Sequence, residues 1–583
     1  VHAQRFNFNA EWFKSDTADL FVYNGDKLSF ETKNLRTNID IYDKQGTFFS
    51  NGIMSSVNFV TNNYFCRIDK LNWDIKNDIL EFGDSLDQGS FLEFVSTSST
   101  DDSLSFEANY AKYDLSIDKL EIYGINSLVV ADAEISNTSS KIFIENGRVE
   151  SLENCNITLV DSNTNYKFYD CKVDILDANK YFASGNYNFK HENQKVFFDS
   201  IFVTKDFVTN AKASIEKEKE FKINDKFKFY GTLKLFRNSS DFNYNGYFKI
   251  SSNCLSTDWV SFNSKLNLDS LVINLEKNSV NEFSRSIYYG HFFSSDSLTV
   301  YPVLMNKKLK SNDESLLTLI NKITLTSNDN FIFGQRDSSS SYFSFNDESC
   351  KSVSTGKVNL ISDVGRVKID SYGNFSIENN LKSFEGFLLF DFYFNDEALQ
   401  LMIDDIYSAP GDLDFNFDDN YLLNLCKVVG TNEAENLYLD LEVSDEFAEF
   451  PSEMASTLNF TNINLVWNSA LKSYVSNGYI GLGNILNNQI NSVLEGKVIL
   501  DKKRNKNQFT IYLKTEFDDI YYFNYKNGIM KCYSSNEDFM NIIKETKDSK
   551  RQAKQRKNQK PYKYSLETKA NVERFIKNLN KYN

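Results

Sequence analysis

Apolar and polar residues alternate along most of the chain, most cleanly over residues 227–250, FKFYGTLKLFRNSSDFNYNGYFKI. Phe227, Phe229, Gly231, Leu233 and Leu235 share one parity. A turn-prone Asn238-Ser239-Ser240-Asp241 follows, and Tyr244, Gly246, Phe248 and Ile250 resume the pattern. Period-two alternation around a polar turn predicts a β-hairpin with one buried and one wet face. The unit recurs after Gly356, Gly373, Gly386, Gly478 and Gly496, each glycine leading a short alternating run. A residue without Cβ at such places predicts close backbone approach and sharp twist.

Taken in order, residues 1–110 read as an antiparallel β-meander whose aromatics are core and cross-strand pairs. Over 111–300 the strands shorten, as in 141–144 (KIFI) and 172–175 (KVDI), which predicts stacked, solenoid-like or grooved sheets. Residues 301–393 read as a β region carrying a loop insertion. Within it 315–323 reads as a short helix and 337–342 as a polar tip. The period then changes. Leu399, Met402, Ile403 and Ile406 recur at helical spacing, and so do Leu422, Leu425, Cys426 and Val429. Gly430 is a C-cap candidate and Thr431 an N-cap candidate for a third helix. Residues 394–456 are therefore a helical insertion clasping a β structure. Strands resume over 457–535. The segment 536–583 holds a helix at 536–546, a basic stretch, and a final amphipathic helix at 565–579. The fold class is mainly β: extended antiparallel meander, solenoid-like or grooved sheets, with a helical insertion and a C-terminal helix.

At 583 residues the chain exceeds one ordinary core. Its 41% hydrophobic and 15% aromatic content excludes wholesale disorder. The net charge of −16 argues against nucleic acid as a partner, since phosphate backbones call for a basic face. Seven cysteines, widely spaced and without Cys-x-x-Cys, indicate neither a disulfide framework nor a zinc site and read as small core residues. No apolar run reaches the ~18–20 residues of a transmembrane helix. The start at Val1 reads as a processed or partial chain, compatible with a removed signal peptide.

The chemistry-bearing candidates are few. Three histidines, His2, His191 and His291, form no ligand motif, and His191 reads as a surface residue of a hairpin tip. Residues 412–418 (DLDFNFD) space oxygens like half a calcium loop. Phe417 stands where such a loop needs glycine and Leu423 where it needs glutamate, so an alternating edge strand fits better. Carboxylate pairs such as Asp404-Asp405 and Asp518-Asp519 read as solvated rather than as a glycosidase pair. No cofactor is implied. The one charge anomaly is 544–563, with Lys547, Lys550, Arg551, Lys554, Arg556, Lys557 and Lys560. Such a run is ordinarily a solvated linker; its functional reading is contact with an anionic membrane surface or an acidic partner.

Three stretches carry a resemblance: 41–49 (IYDKQGTFF) with 62–73 (NNYFCRIDKLNW); 476–491 (SNGYIGLGNILNNQIN); and 533–547 (YSSNEDFMNIIKETK). Together they resemble the C-terminal part of very large, uncharacterised β-rich cell-envelope proteins of the Bacteroidota, over nearly the whole chain. The resemblance implies an exported protein of the periplasm or outer membrane and brings no catalytic residues with it. The strand-rich meander is also similar, at fold level only, to envelope lipid-transport proteins. The expectation is a non-catalytic envelope scaffold in outer-membrane biogenesis or transport, whose partner is outer-membrane protein machinery or lipid and which associates peripherally with the membrane. A surface-exposed binding or adhesion protein and a polysaccharide-active enzyme on a β-scaffold are the alternatives.

Overall fold

The computed structural model describes residues 1–52, 55–83, 92–98, 103–159, 166–189, 191–236, 242–266, 272–276, 280–294, 299–306, 314–316, 322–326, 331–332, 342–361, 366–409, 413–502, 508–553 and 561–582. They form a mainly β protein of antiparallel sheets, divided into two compact units.

The N-terminal unit comprises Val1–Phe248 and Phe262–Leu268. It holds a 14-stranded sheet, built from strands between His2–Phe8 and Arg148–Val149, and a ten-stranded sheet that begins at Leu128–Val130. Alternation dictates the pleat: in Lys119–Tyr123, Leu120 and Ile122 are buried and their neighbours are partly exposed. The aromatics of the first sheet are core. Phe59 meets Phe82 and Tyr113 edge-on at 5.3 and 5.2 Å, a geometry that adds about 0.5–1.5 kcal/mol per pair beyond burial. The hairpin expected at 227–250 is present as strands Phe227–Phe236 and Phe242–Ile250, and its turn lies outside the described residues. Gly231 (φ +136°) and Gly246 face one another, and a Cβ on Gly246 would lie 2.2 Å from the Tyr230 carbonyl oxygen. Only glycine allows that approach.

The C-terminal unit comprises Lys249–Ser261 and Asp269–Asn583. Its main sheet has 13 strands, from Phe331–Ile332 to Lys563–Leu566. The sheet curls into a half-barrel. Phe390 and Phe509 lie on strands with three others between them, which a flat sheet would hold about 19 Å apart. Their ring centres are 4.9 Å apart, and Phe392 reaches Phe523 at 5.9 Å.

Helix α1 (Asp396–Ser408) fills the concave side with Leu399, Met402, Ile403 and Ile406, all buried as their spacing predicts. Helices α2 (Asp419–Val429) and α3 (Thr431–Ser444) cover the opposite face, where Tyr421 packs on Phe387 at 5.0 Å. Helix α4 (Glu537–Glu545) joins α1 in the hollow through Phe539 and Ile543. Asp405 of α1 binds these elements together, accepting from Tyr521 Oη and, at 2.7 Å, from Asn536 Nδ2. Helix α5 (Lys569–Lys577) sets Val572 and Phe575 on Tyr512 and Tyr522.

Several expectations need correction. The described ends of the helix expected at 315–323 are strands, Glu314–Leu316 and Lys322–Thr326, paired with Tyr288–Ser294 and Val272–Glu276, and 317–321 lie outside the described residues. Tertiary pairing has overridden a short run of helical period. Thr431 is the first residue of α3, while Gly430, at φ +95°, is its N-cap. Residues 413–418 form no strand. Phe415 and Phe417 fold under α2, and Asp418 caps it, accepting from Tyr421 N at 2.9 Å. The final helix is shorter than 565–579 because Lys563–Leu566 first adds a strand to the sheet. Cys254 and Cys350 form a disulfide across 96 residues of sequence, with Cα atoms 5.6 Å apart. Cys66, Cys155, Cys171, Cys426 and Cys532 are buried thiols.

Candidate functional site

Where strand Leu381–Asp391 leaves the half-barrel and turns into α1, the chain is fastened on two sides. Thr457 accepts from Phe392 N and donates to Phe392 O, at 2.9 and 2.7 Å. On the other side Tyr393 donates to Lys550 O at 2.8 Å, and Tyr562 donates to Tyr393 O at 2.7 Å. Asn395 caps α1 through Ala398 N, and its amide also donates to Thr546 Oγ1 at 3.2 Å. Between these fastenings opens a cleft of about 1470 Å³, lined by the first turn of α1, the end of α4, the segment after α4, and Arg366 and Lys368.

The basic stretch singled out in the sequence contributes unequally. Lys547 and Lys550 line the cleft. Arg551 does structural work: its Nε and Nη2 donate to Thr546 O and Lys544 O, each at 2.8 Å, closing the C-terminus of α4 where carbonyls lack helical partners. Asp548 adds an ion pair to the same guanidinium at 3.4 Å. Lys554, Arg556, Lys557 and Lys560 lie outside the described residues. The described part of the stretch is folded rather than a free linker, since Tyr564 N donates to Arg551 O and Ala553 N to Tyr562 O.

Arg366 is a member that sequence reasoning missed. It is partly buried, and its Nε and Nη2 are shielded from solvent without a hydrogen-bond partner. Lys368, beside it, is committed to Asp370 at 2.6 Å, which holds the lysine pKa above its ordinary value. Desolvation opposes ionisation of Asp370, yet hydrogen bonds from Lys357 and Lys368 hold its pKa below the usual carboxylate range. Nothing in the local sequence of Arg366 marks it, because its distinguishing property is a missing tertiary partner.

The N-terminal unit has a smaller hollow of about 710 Å³ among its first strands. Register places Asn7 opposite Lys14, Lys14 opposite Asn38, and Arg36 opposite Phe49. The Arg36 guanidinium lies 5.1 Å from the centre of the Phe49 ring. Arg5, Lys14 and Arg36 share this hollow with one carboxylate, Asp16.

Among the described residues no group of three or more His, Cys, Asp or Glu side chains is placed to hold a metal ion, and no helix is long and apolar enough to cross a membrane. His291 is an interior residue between two serine hydroxyls. Asp405 is engaged with Tyr521 and Asn536, and Asp518 pairs with Lys514 at 2.6 Å. No protein-family model and no curated protein matches the chain.

Proposed function

We propose that this chain is a non-catalytic scaffold subunit of the cell envelope, working in outer-membrane biogenesis or transport. In this reading its extended sheets hold partner proteins or lipid, and its basic C-terminal stretch meets an anionic surface. The observation that carries the reading is the filled half-barrel. Helices α1 and α4 and a continuous aromatic core occupy its concave side, so binding capacity falls to outer faces and to the open cleft at the rim. The Cys254–Cys350 disulfide supports export, because such bonds persist in oxidising compartments and are rare in the cytosol.

The test is affinity purification of the native full-length protein from detergent-solubilised envelopes, with mass spectrometry of proteins and lipids. Stoichiometric outer-membrane proteins are the expected result. Recovery of neither protein nor lipid partners would remove the scaffold reading.

A second reading, a surface-exposed binding protein, is favoured by one observation. The polar hollow of the N-terminal unit collects Arg5, Lys14 and Arg36 around one carboxylate, in a chain of net charge −16. Glycan-array binding that is lost on Arg36→Ala and not on Lys550→Ala would favour it over the first.

A further inference from the structure

The hollow of the N-terminal unit is shaped by register shifts in its first strands. Pairing of His2–Phe8 with Trp12–Asn24 slips between Ala3 and Arg5 and again between Arg5 and Asn7. Pairing of Trp12–Asn24 with Lys27–Asp40 slips between Ser15 and Ala18. Such irregularities bend a strand and re-aim its side chains. One buried hydroxyl pins them, since Ser15 Oγ donates to Arg5 O at 2.7 Å and lies 2.9 Å from Thr17 O.

The charged groups of the hollow are exposed and uncommitted. Arg5, Lys14 and Arg36 line it with Asp16, three positive charges against one negative, an excess of two. None of the three basic side chains makes a hydrogen bond or ion pair with a described residue. The carboxylates that flank the hollow along its strands accept from backbone amides: Asp19 from Asn34 N at 3.0 Å and Asp40 from Asp43 N at 2.7 Å. Lys70 stands opposite Phe49 from the next strand. Arg36 is also held ready, its guanidinium 5.1 Å from the centre of the Phe49 ring. A guanidinium lying over a ring keeps its in-plane donors free, and that fork fits the two oxygens of a carboxylate.

Charge alone does not choose among anions, and the other lining groups do. Gln4, Asn7 and Asn38 bring three primary amides, exposed and without side-chain hydrogen bonds to described residues. Asn7 and Asn38 flank Lys14 across the register. Such an amide donates and accepts, as a sugar hydroxyl does. Phe6 adds an exposed ring to the lining. Arginine fork, amides and ring together match the carboxylate, hydroxyls and C–H face of an acidic sugar. A nucleic acid calls for a longer basic track, and the net charge of −16 opposes it. At about 710 Å³ the hollow has the size of a small-ligand site, which suits a short oligosaccharide.

We propose that this hollow binds an acidic glycan. The Arg36 fork takes a sugar carboxylate, Arg5 and Lys14 supply the remaining positive charge, and Asn7 and Asn38 take hydroxyls. The proposal rests on the reading of the chain as a surface-exposed binding protein and names the ligand class of that reading.

The full-length protein is applied to an array of galacturonan, hyaluronan and sialylated oligosaccharides with sulfated and neutral counterparts. Each carboxylated glycan that binds is then titrated by calorimetry beside its methyl ester. Carboxylated glycans are expected to bind, and esterification should weaken them about tenfold or more. Arg36→Lys keeps the charge and loses the fork, so affinity should again fall about tenfold or more. Asp16→Asn removes the one carboxylate of the lining and should tighten acidic glycans without changing neutral ones. Both positions are exposed, so each variant should melt with the wild type, which separates lost binding from lost fold. Neutral glycans bound as well as acidic ones overturn the acidic-sugar assignment and leave the binding-protein reading. A protein that binds no glycan removes both. Sulfated glycans held in place of carboxylated ones, poly-glutamate held as tightly as the best glycan, or an affinity indifferent to Arg36→Lys each overturn the proposal.

Discussion

His291 and Ser352 lie 2.8 Å apart, Nε2 to Oγ, in the interior of the C-terminal unit. Nδ1 of the same ring is 2.7 Å from Ser354 Oγ, and Phe343 and Phe375 meet the ring edge-on. Two hydroxyls that can each donate or accept satisfy a neutral imidazole, and they bring no negative charge to balance an imidazolium in the buried site. Burial pushes the His291 pKa down to about 3. The unfolded residue titrates near about 6.5. The stability His291 contributes is therefore complete above that value and is lost as pH falls toward 3, because the unfolded chain takes up a proton that the folded one refuses. Urea midpoints should drop between about pH 7 and about pH 5, and His291→Gln should flatten the drop. Equal pH dependence in the two proteins would count against this account.

Lys502 makes a related prediction at the other end of the scale. Its ammonium donates to Leu360 O at 2.8 Å and lies 4.4 Å from the Phe293 ring centre, with the residue 7% exposed. Burial lowers its pKa to about 8, against about 10.4 unfolded. Between those values the unfolded chain holds a proton that the folded one has released, so stability rises with pH across the window and is level below it. Wild type should gain on Lys502→Met from about pH 8 to about pH 10. Denaturant titration of both proteins across that range checks the sign.

Gly386 is the clearest backbone test. With φ at +155° and the Tyr372 carbonyl oxygen 2.2 Å from where its Cβ would stand, it cannot accept a side chain without moving the neighbouring strand. Gly386→Ala should cost at least about 2 kcal/mol in chemical denaturation. Gly52→Ala, where nothing lies within 4 Å, should cost little.

Thiol chemistry tests the compartment as well as the fold. Native protein taken from envelopes and alkylated after unfolding should label five cysteines, with Cys254 and Cys350 protected until reduction. Cys254→Ser should lower stability by about 3–5 kcal/mol, since it releases a long loop in the unfolded chain. Seven labelled thiols would remove the argument for export.

Local features were legible in the residues. The α1 stripe of Leu399, Met402, Ile403 and Ile406 is buried as its period requires, and the helix expected at 536–546 is present as α4, Glu537–Glu545. What was hidden is tertiary. Residues 413–418 alternate like a strand, yet Phe415 and Phe417 are drawn under α2 by an apolar surface that local pattern cannot see. The Cys254–Cys350 pair depends on a contact across 96 residues. Lys547 and Lys550 were visible as part of a charge run, whereas Arg366 looks ordinary until the surroundings of its guanidinium are known.

The strand Lys563–Leu566 runs parallel to its neighbour Ile529–Ser534, whereas the strand before it, Ile520–Lys526, is antiparallel. A parallel partner must return over a connection, and here α4 and the segment after it make that return. During synthesis the edge of Ile529–Ser534 is exposed before its cover has emerged, and an open edge is a template for a second chain. Residues 563–566 cover that edge once they emerge, which ends the interval in which Ile529–Ser534 is open to pairing with a second chain.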